Sequence, residues 1–137
     1  MMANVVSVAI AQFLLPDFIG HVAERTGQVL TFHKMPLLAA QLIIAVLGEE
    51  IAWRAFFQQR LSERVPMHLS MVCTSILFSL GHFSSGSILI VTYDLVFVFI
   101  NSLLYGMVFK RTNNVYISAL SHLIANGAGI ALMLFVR

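Results

Sequence analysis

Charge is what this sequence has least of. Only 10% of its 137 residues are Asp, Glu, Lys or Arg, and none of these occurs from Val65 to Tyr93 or from Thr112 to Val136. A soluble domain needs more than twice that fraction. Cysteine is nearly missing as well: Cys73 stands alone in an apolar run, which excludes an intrachain disulfide and reads as packing. The net charge of +2 is spread over scattered Lys and Arg residues, so there is no basic patch of the kind that binds nucleic acid. The leading stretch, Met1 to Leu15, has neither the basic start nor the small-residue cleavage site of a signal peptide, and reads as a retained helix. No internal repeat or low-complexity tract interrupts the chain.

What is present is apolar. Hydrophobic residues make up 59% of the chain and the mean hydropathy is +0.90. Each uncharged run reaches the roughly 20 residues that a spanning helix requires. The expectation is an all-α, polytopic membrane bundle forming one domain over residues 1–137. Five helical segments are predicted, at about 4–19, 36–60, 67–84, 88–109 and 114–135. The first is short and broken by Pro16-Asp17; the other four are expected to span. Gly106, Ser118, Ser121, Gly127 and Gly129 read as small residues that let helices approach closely.

The separators are polar: Gly20 to Lys34, Ser62 to Pro66, Ser84 to Ser87, and Lys110 to Asn114. Arg60, Arg64, Lys110 and Arg111 follow the second and fourth helices, which assigns those turns to the cytoplasm by the positive-inside rule; Arg25 and Lys34 fall on the other side.

Against this background a few residues stand out. Glu49, Glu50 and Arg54 sit in the second apolar helix, where an ionised side chain costs about 2.5–3.5 kcal/mol even on a lenient insertion scale. Glu49 lies about 16 Å along the helix from Arg60, close to mid-bilayer. In α-helical geometry Glu50 and Arg54 share a face and can pair, while Glu49 is turned about 100° away beside Trp53. A carboxylate left free in apolar surroundings is suited to exchanging a proton. His82 ends the run Phe78-Ser79-Leu80-Gly81-His82, and His122 and Asn126 share a face of the fifth helix. Taken singly these are weak signals. Together they are nearly all the ionisable groups within the membrane, drawn from three helices, and one shared pocket would satisfy them all. His21, His33 and His68 read as interfacial, Tyr93 and Asp94 as structural, and Asn101 as a hydrogen-bonding residue between helices.

In order and spacing, Glu49-Glu50-Ile51-Ala52-Trp53-Arg54, Phe78 to His82 and His122 to Asn126 resemble the Glu-Glu-x-x-x-Arg, Phe-x-x-x-His and His-x-x-x-Asn motifs of the CPBP family of intramembrane proteases. That family includes the type II CAAX prenyl proteases and the bacterial Abi proteins. The approach to the third motif, Leu104-Tyr105-Gly106 through Thr112-Asn113-Asn114, is similar too, so the resemblance spans a core of about residues 40–130. Ala55 stands where the family often has Gly after the motif Arg. The resemblance implies an endopeptidase in which Glu49 and His82 activate a water, and His122 and Asn126 stabilise the oxyanion. It further implies that Glu50 and Arg54 shape the site and that Phe78 packs beside it.

Glu49, His82 and His122 also match in number the ligands of a catalytic zinc site. The His-Glu-x-x-His helix of zinc proteases is absent, however, which favours a Glu-activated water without a cofactor. The implied partners are membrane lipid and a peptide or protein substrate, lipidated or not, with no nucleic acid. The implied location is a bacterial cytoplasmic membrane. A non-catalytic immunity or binding protein of the same family is the second reading. A proton-coupled transporter is the third, disfavoured because no inverted repeat is visible.

Overall fold

The computed structural model describes residues 2–27 and 35–136. Among them there are helices and no strands. In chain order they are α1 (Met2–Leu14), α2 (Phe18–Gly27), α3 (Met35–Glu50), a π-helix (Ile51–Gln58), α4 (Gln59–Ser62), α5 (Met67–Leu80), α6 (Ile88–Thr112) and α7 (Val115–Val136). The polytopic helical bundle expected from composition is the fold found. His33 and Lys34 lie outside the described residues.

Polarity is distributed as a bilayer demands. Ile44, Phe56, Tyr116 and Leu120 are each more than half exposed, whereas Glu50, Arg54, Gln58, Ser70, Thr74, Ser102 and Ser118 are 0% exposed. In lipid there is no hydrophobic drive between helices, so polar groups and small residues gather where helices meet. Among the described residues three stretches are long and apolar enough to cross a membrane: Pro36–Ser62, Ile88–Thr112 and Val115–Leu132. Of the four expected spans, α5 is the exception. Its 14 residues extend about 21 Å, short of a hydrocarbon core of about 30 Å.

Three boundaries differ from the sequence reading, each for a local reason. The chain breaks at Pro16-Asp17 as expected, but α2 then runs into the stretch read as a polar separator. Phe18 supports it, 3% exposed and edge-on to Tyr93 with ring centroids 4.9 Å apart. The α5 helix stops at Leu80 rather than residue 84, because the His82 and Phe83 amides turn back to the carbonyls of Ser79 and Leu80, at 2.9 and 3.1 Å, and tighten the end. The second apolar segment is continuous from Met35 to Ser62, but its middle is π-helical, with wider turns than the α geometry assumed for Glu49 to Trp53.

The π-helix keeps one buried line. Glu50, Arg54 and Gln58 are all 0% exposed, and the last two meet α6 in parallel register: Arg54 Nη2 donates to Ser102 Oγ at 3.1 Å and Gln58 Nε2 to the Gly106 carbonyl at 3.2 Å. The parallel course brings the basic ends of α4 and α6 to the same side. A methyl at Gly106 would lie 2.8 Å from Gln58 Oε1, so the buried Gln58 amide would have to shift to admit one. Gly127, expected to serve the same purpose, has nothing within 4 Å of such a methyl; its packing role is not found.

The turn from α6 to α7 is built by two asparagines. Asn113 takes a left-handed conformation (φ 48°) and its amide donates to the Phe109 carbonyl at 2.7 Å. Asn114 Oδ1 accepts from the amides of Tyr116 and Ile117 at 2.9 and 3.3 Å, capping α7. The tight reversal sets α7 against α6, with Tyr105 opposite Ser118 and His122.

Candidate active site

Glu49, Phe78, His82, His122 and Asn126 line one cavity of about 730 Å³. Because α5 ends at Leu80, His82 reaches this cavity from the turn just beyond the helix. His82 Nδ1 lies 2.8 Å from the Phe78 carbonyl. A carbonyl can only accept, so Nδ1 carries the hydrogen, and neutral His82 presents its Nε2 lone pair to the cavity. That Nε2 is 4.0 Å from Glu49 Oε1. From the other side, His122 Nε2 is 3.7 Å from Glu49 Oε2.

The two adjacent glutamates have different surroundings. The Glu49 side chain is 34% exposed to the cavity. Glu50 is fully buried and shared by three partners: His122 Nδ1 at 2.9 Å, Ser118 Oγ at 2.5 Å and Arg54 Nε at 3.5 Å. Ser118 is one hydroxyl between two acceptors, since its oxygen is also 3.1 Å from the Tyr105 carbonyl. Arg54 lies over the Phe78 ring at 5.1 Å, a cation–π contact in a dry site. Phe78 also touches His82, with centroids 4.5 Å apart, and faces the edge of His122 at 6.2 Å. One phenyl ring thus separates the cationic support from the open groups.

A second polar group lines the same cavity at its other end. Arg25 donates to Asp94, which is 4% exposed, and His21 Nε2 is 3.1 Å from Ser84 Oγ. These contacts fasten α2 across α6 and the serine-rich turn. The sequence reading placed His21 at the interface and did not pair Arg25 with Asp94; the only trace of the pairing is that Asp94 is the one acid in an otherwise uncharged span. It named Tyr105 only within the family-like approach to the third motif and gave it no role at the site. His68 is exposed at the start of α5, and Asn101 donates to the Phe97 carbonyl at 3.0 Å.

A resident metal would need ligands poised around one point. Among the described residues no three His, Cys, Asp or Glu side chains form such a group. Glu49, His82 and His122 share the cavity without the closer mutual approach of a ligand set, and the residues as placed do not fit the zinc site that their number allows.

A family model described as Type II CAAX prenyl endopeptidase Rce1-like matches residues 30–128. No curated protein and no solved structure matches the chain. The match covers the helices that carry the Glu49, His82 and His122 motifs and most of the chain, and this integral membrane protein belongs to the Type II CAAX prenyl endopeptidase Rce1-like family.

Proposed function

We propose that the protein is an intramembrane endopeptidase that hydrolyses a peptide bond with a water held between Glu49 and His82. The observation that carries this reading is the 4.0 Å separation of Glu49 Oε1 and His82 Nε2 at the wall of a cavity. Both atoms are hydrogen-bond acceptors. One water about 2.8 Å from each bridges them with its two hydrogens, leaving its lone pairs to face a scissile carbonyl.

In the attack a water oxygen–carbon bond forms, the carbonyl π pair moves to oxygen, and the water proton passes to Glu49. Collapse of the tetrahedral intermediate breaks the carbon–nitrogen bond, and the proton on Glu49 goes to the departing amine. General-base help of this kind contributes about 10²–10⁴-fold.

His122 and Asn126 are the oxyanion donors in this scheme. Asn126 offers an amide N–H from the cavity wall. His122 already donates from Nδ1 to Glu50, so donation from Nε2 requires a proton on each ring nitrogen. Glu50 at 2.9 Å and Glu49 at 3.7 Å are the counter-charges for that doubly protonated ring. Glu50, Arg54 and Phe78 hold the arrangement without touching substrate. The family points to a peptide or protein substrate at the membrane, and we take a lipidated C-terminal segment as its class.

The test is cleavage of an internally quenched, prenylated CAAX-type peptide by protein reconstituted in vesicles. Glu49→Ala and His122→Ala are expected to abolish cleavage while the helical content and thermal transition stay as in the unsubstituted protein. Normal cutting by both variants defeats the assignment. In that case, cellular protection against a membrane-active peptide that survives Glu49→Ala would establish the binding-protein reading instead.

A further inference from the structure

Among the residues that line the cavity, Tyr105 has no role in the scheme above. Tyr105 is 4% exposed, lines the cavity and lies flat on His122, with ring centroids 4.3 Å apart and planes inclined by 18°. We infer that Tyr105 is a positioning residue for His122: its ring face fixes the plane of the imidazole whose Nε2 serves the reaction. The inference rests on the protease reading and adds a residue to it.

The argument is one of rotational freedom. A histidine on a rigid helix can still turn about two side-chain bonds. The contact from Nδ1 to Glu50 Oε1 at 2.9 Å sets the direction in which the ring points. A single hydrogen bond does not prevent the ring from rocking about the line of that bond. Tyr105 removes this second freedom by covering one whole face, while Phe78 meets the imidazole in a T-shaped contact with centroids 6.2 Å apart. With both rotations closed, Nε2 has one position, 3.7 Å from Glu49 Oε2.

The backbone supports the same clamp. Ser118, one turn before His122, stands between the Glu50 carboxylate at 2.5 Å and the Tyr105 carbonyl at 3.1 Å. The residue that sets the direction of the ring and the residue that sets its plane are therefore held to each other. An aromatic face also suits a ring bearing two protons, because its π quadrupole attracts cationic character. The phenol oxygen is not needed for either effect; the ring is.

The experiment compares Tyr105→Phe with Tyr105→Leu in reconstituted full-length protein, using the quenched prenylated peptide as probe. The thermal transition is recorded for each variant. Tyr105→Phe is expected to keep kcat within about twofold. Tyr105→Leu is expected to lower kcat by about tenfold or more with KM unchanged, since small misplacement of a reacting group is costly. In protein labelled with ring-¹⁵N histidine, Tyr105→Leu should broaden or split the His122 signals, identified by their loss in His122→Ala, and Tyr105→Phe should leave them sharp.

Full kcat in Tyr105→Leu overturns the inference. So does a Tyr105→Phe variant as slow as Tyr105→Leu, which would put the hydroxyl rather than the ring in the reaction, or a loss confined to KM. Failure of the protease reading looks different: there His122→Ala itself cuts at the unsubstituted rate. A dead His122→Ala beside a fully active Tyr105→Leu removes only the role given to Tyr105.

Discussion

Glu49 and Glu50 are consecutive in the chain, yet one faces an open cavity and the other accepts hydrogen bonds in a sealed interior. The Glu49 side chain is 34% exposed and stands opposite two imidazole nitrogens. Glu50 is 0% exposed and binds His122, Ser118 and Arg54. On the proposed reading the same functional group is thereby divided between a reactive and an architectural task.

That division predicts opposite phenotypes for a conservative change. Glu49→Gln should keep the fold and lose at least about 10²-fold in kcat, the lower range for a general base. Single-turnover cleavage of the quenched peptide, with circular dichroism as the folding check, would show it. Retention of more than a tenth of the rate would remove Glu49 from the reaction.

Glu50 and Arg54 should show the energetics of a buried pair. Removing one partner leaves the other charged and unmatched, at a cost of about 3–5 kcal/mol. Glu50→Ala and Arg54→Ala are each expected to lower stability by that order, measured by denaturant unfolding in micelles. The combined Glu50→Gln, Arg54→Met variant should lose less than the sum of the single changes. Simple additivity across the cycle would mean that the pair is not coupled.

Two glycines on neighbouring helices should respond differently to one added methyl. Gly106→Ala forces the buried Gln58 amide aside and should cost about 1–3 kcal/mol, as overpacking does. Gly127→Ala meets open space and should fall within about 0.5 kcal/mol of the unsubstituted protein. Equal effects at both positions would contradict the placement of α6 against the π-helix.

Metal dependence is decided by composition. Elemental analysis of the purified protein is expected to show no stoichiometric zinc, and cleavage should persist after treatment with a strong chelator. Stoichiometric zinc whose removal stops cleavage, and whose return restores it, would replace the Glu49–His82 water with a metal-bound one.

The parts of the molecule that were legible in the sequence are those written in short-range pattern. The uncharged run from Thr112 to Val136 marked α7, Pro16-Asp17 marked the first break, and acids in an apolar helix marked Glu49 and Glu50. The parts that were not legible depend on partners distant in the chain. Nothing local separates an α-helix from the π-helix at Ile51–Gln58; the wider turn is stabilised by Ser102 and Gly106, 48 residues onward. Likewise α2 looked like a polar loop, because its partners Tyr93, Asp94 and Ser84 lie more than sixty residues away.

The early end of α5 also bears on where the reagent comes from. A fourteen-residue helix leaves about a third of the hydrocarbon width without an apolar rod on that side, and lipid matches such a gap poorly. The polar turn that carries Ser84, Ser85 and Ser87 lies on that side, with Ser85 and Ser87 exposed. On the proposed reading water reaches His82 through that gap, and an apolar helix too short for the bilayer is what admits the reagent of the reaction.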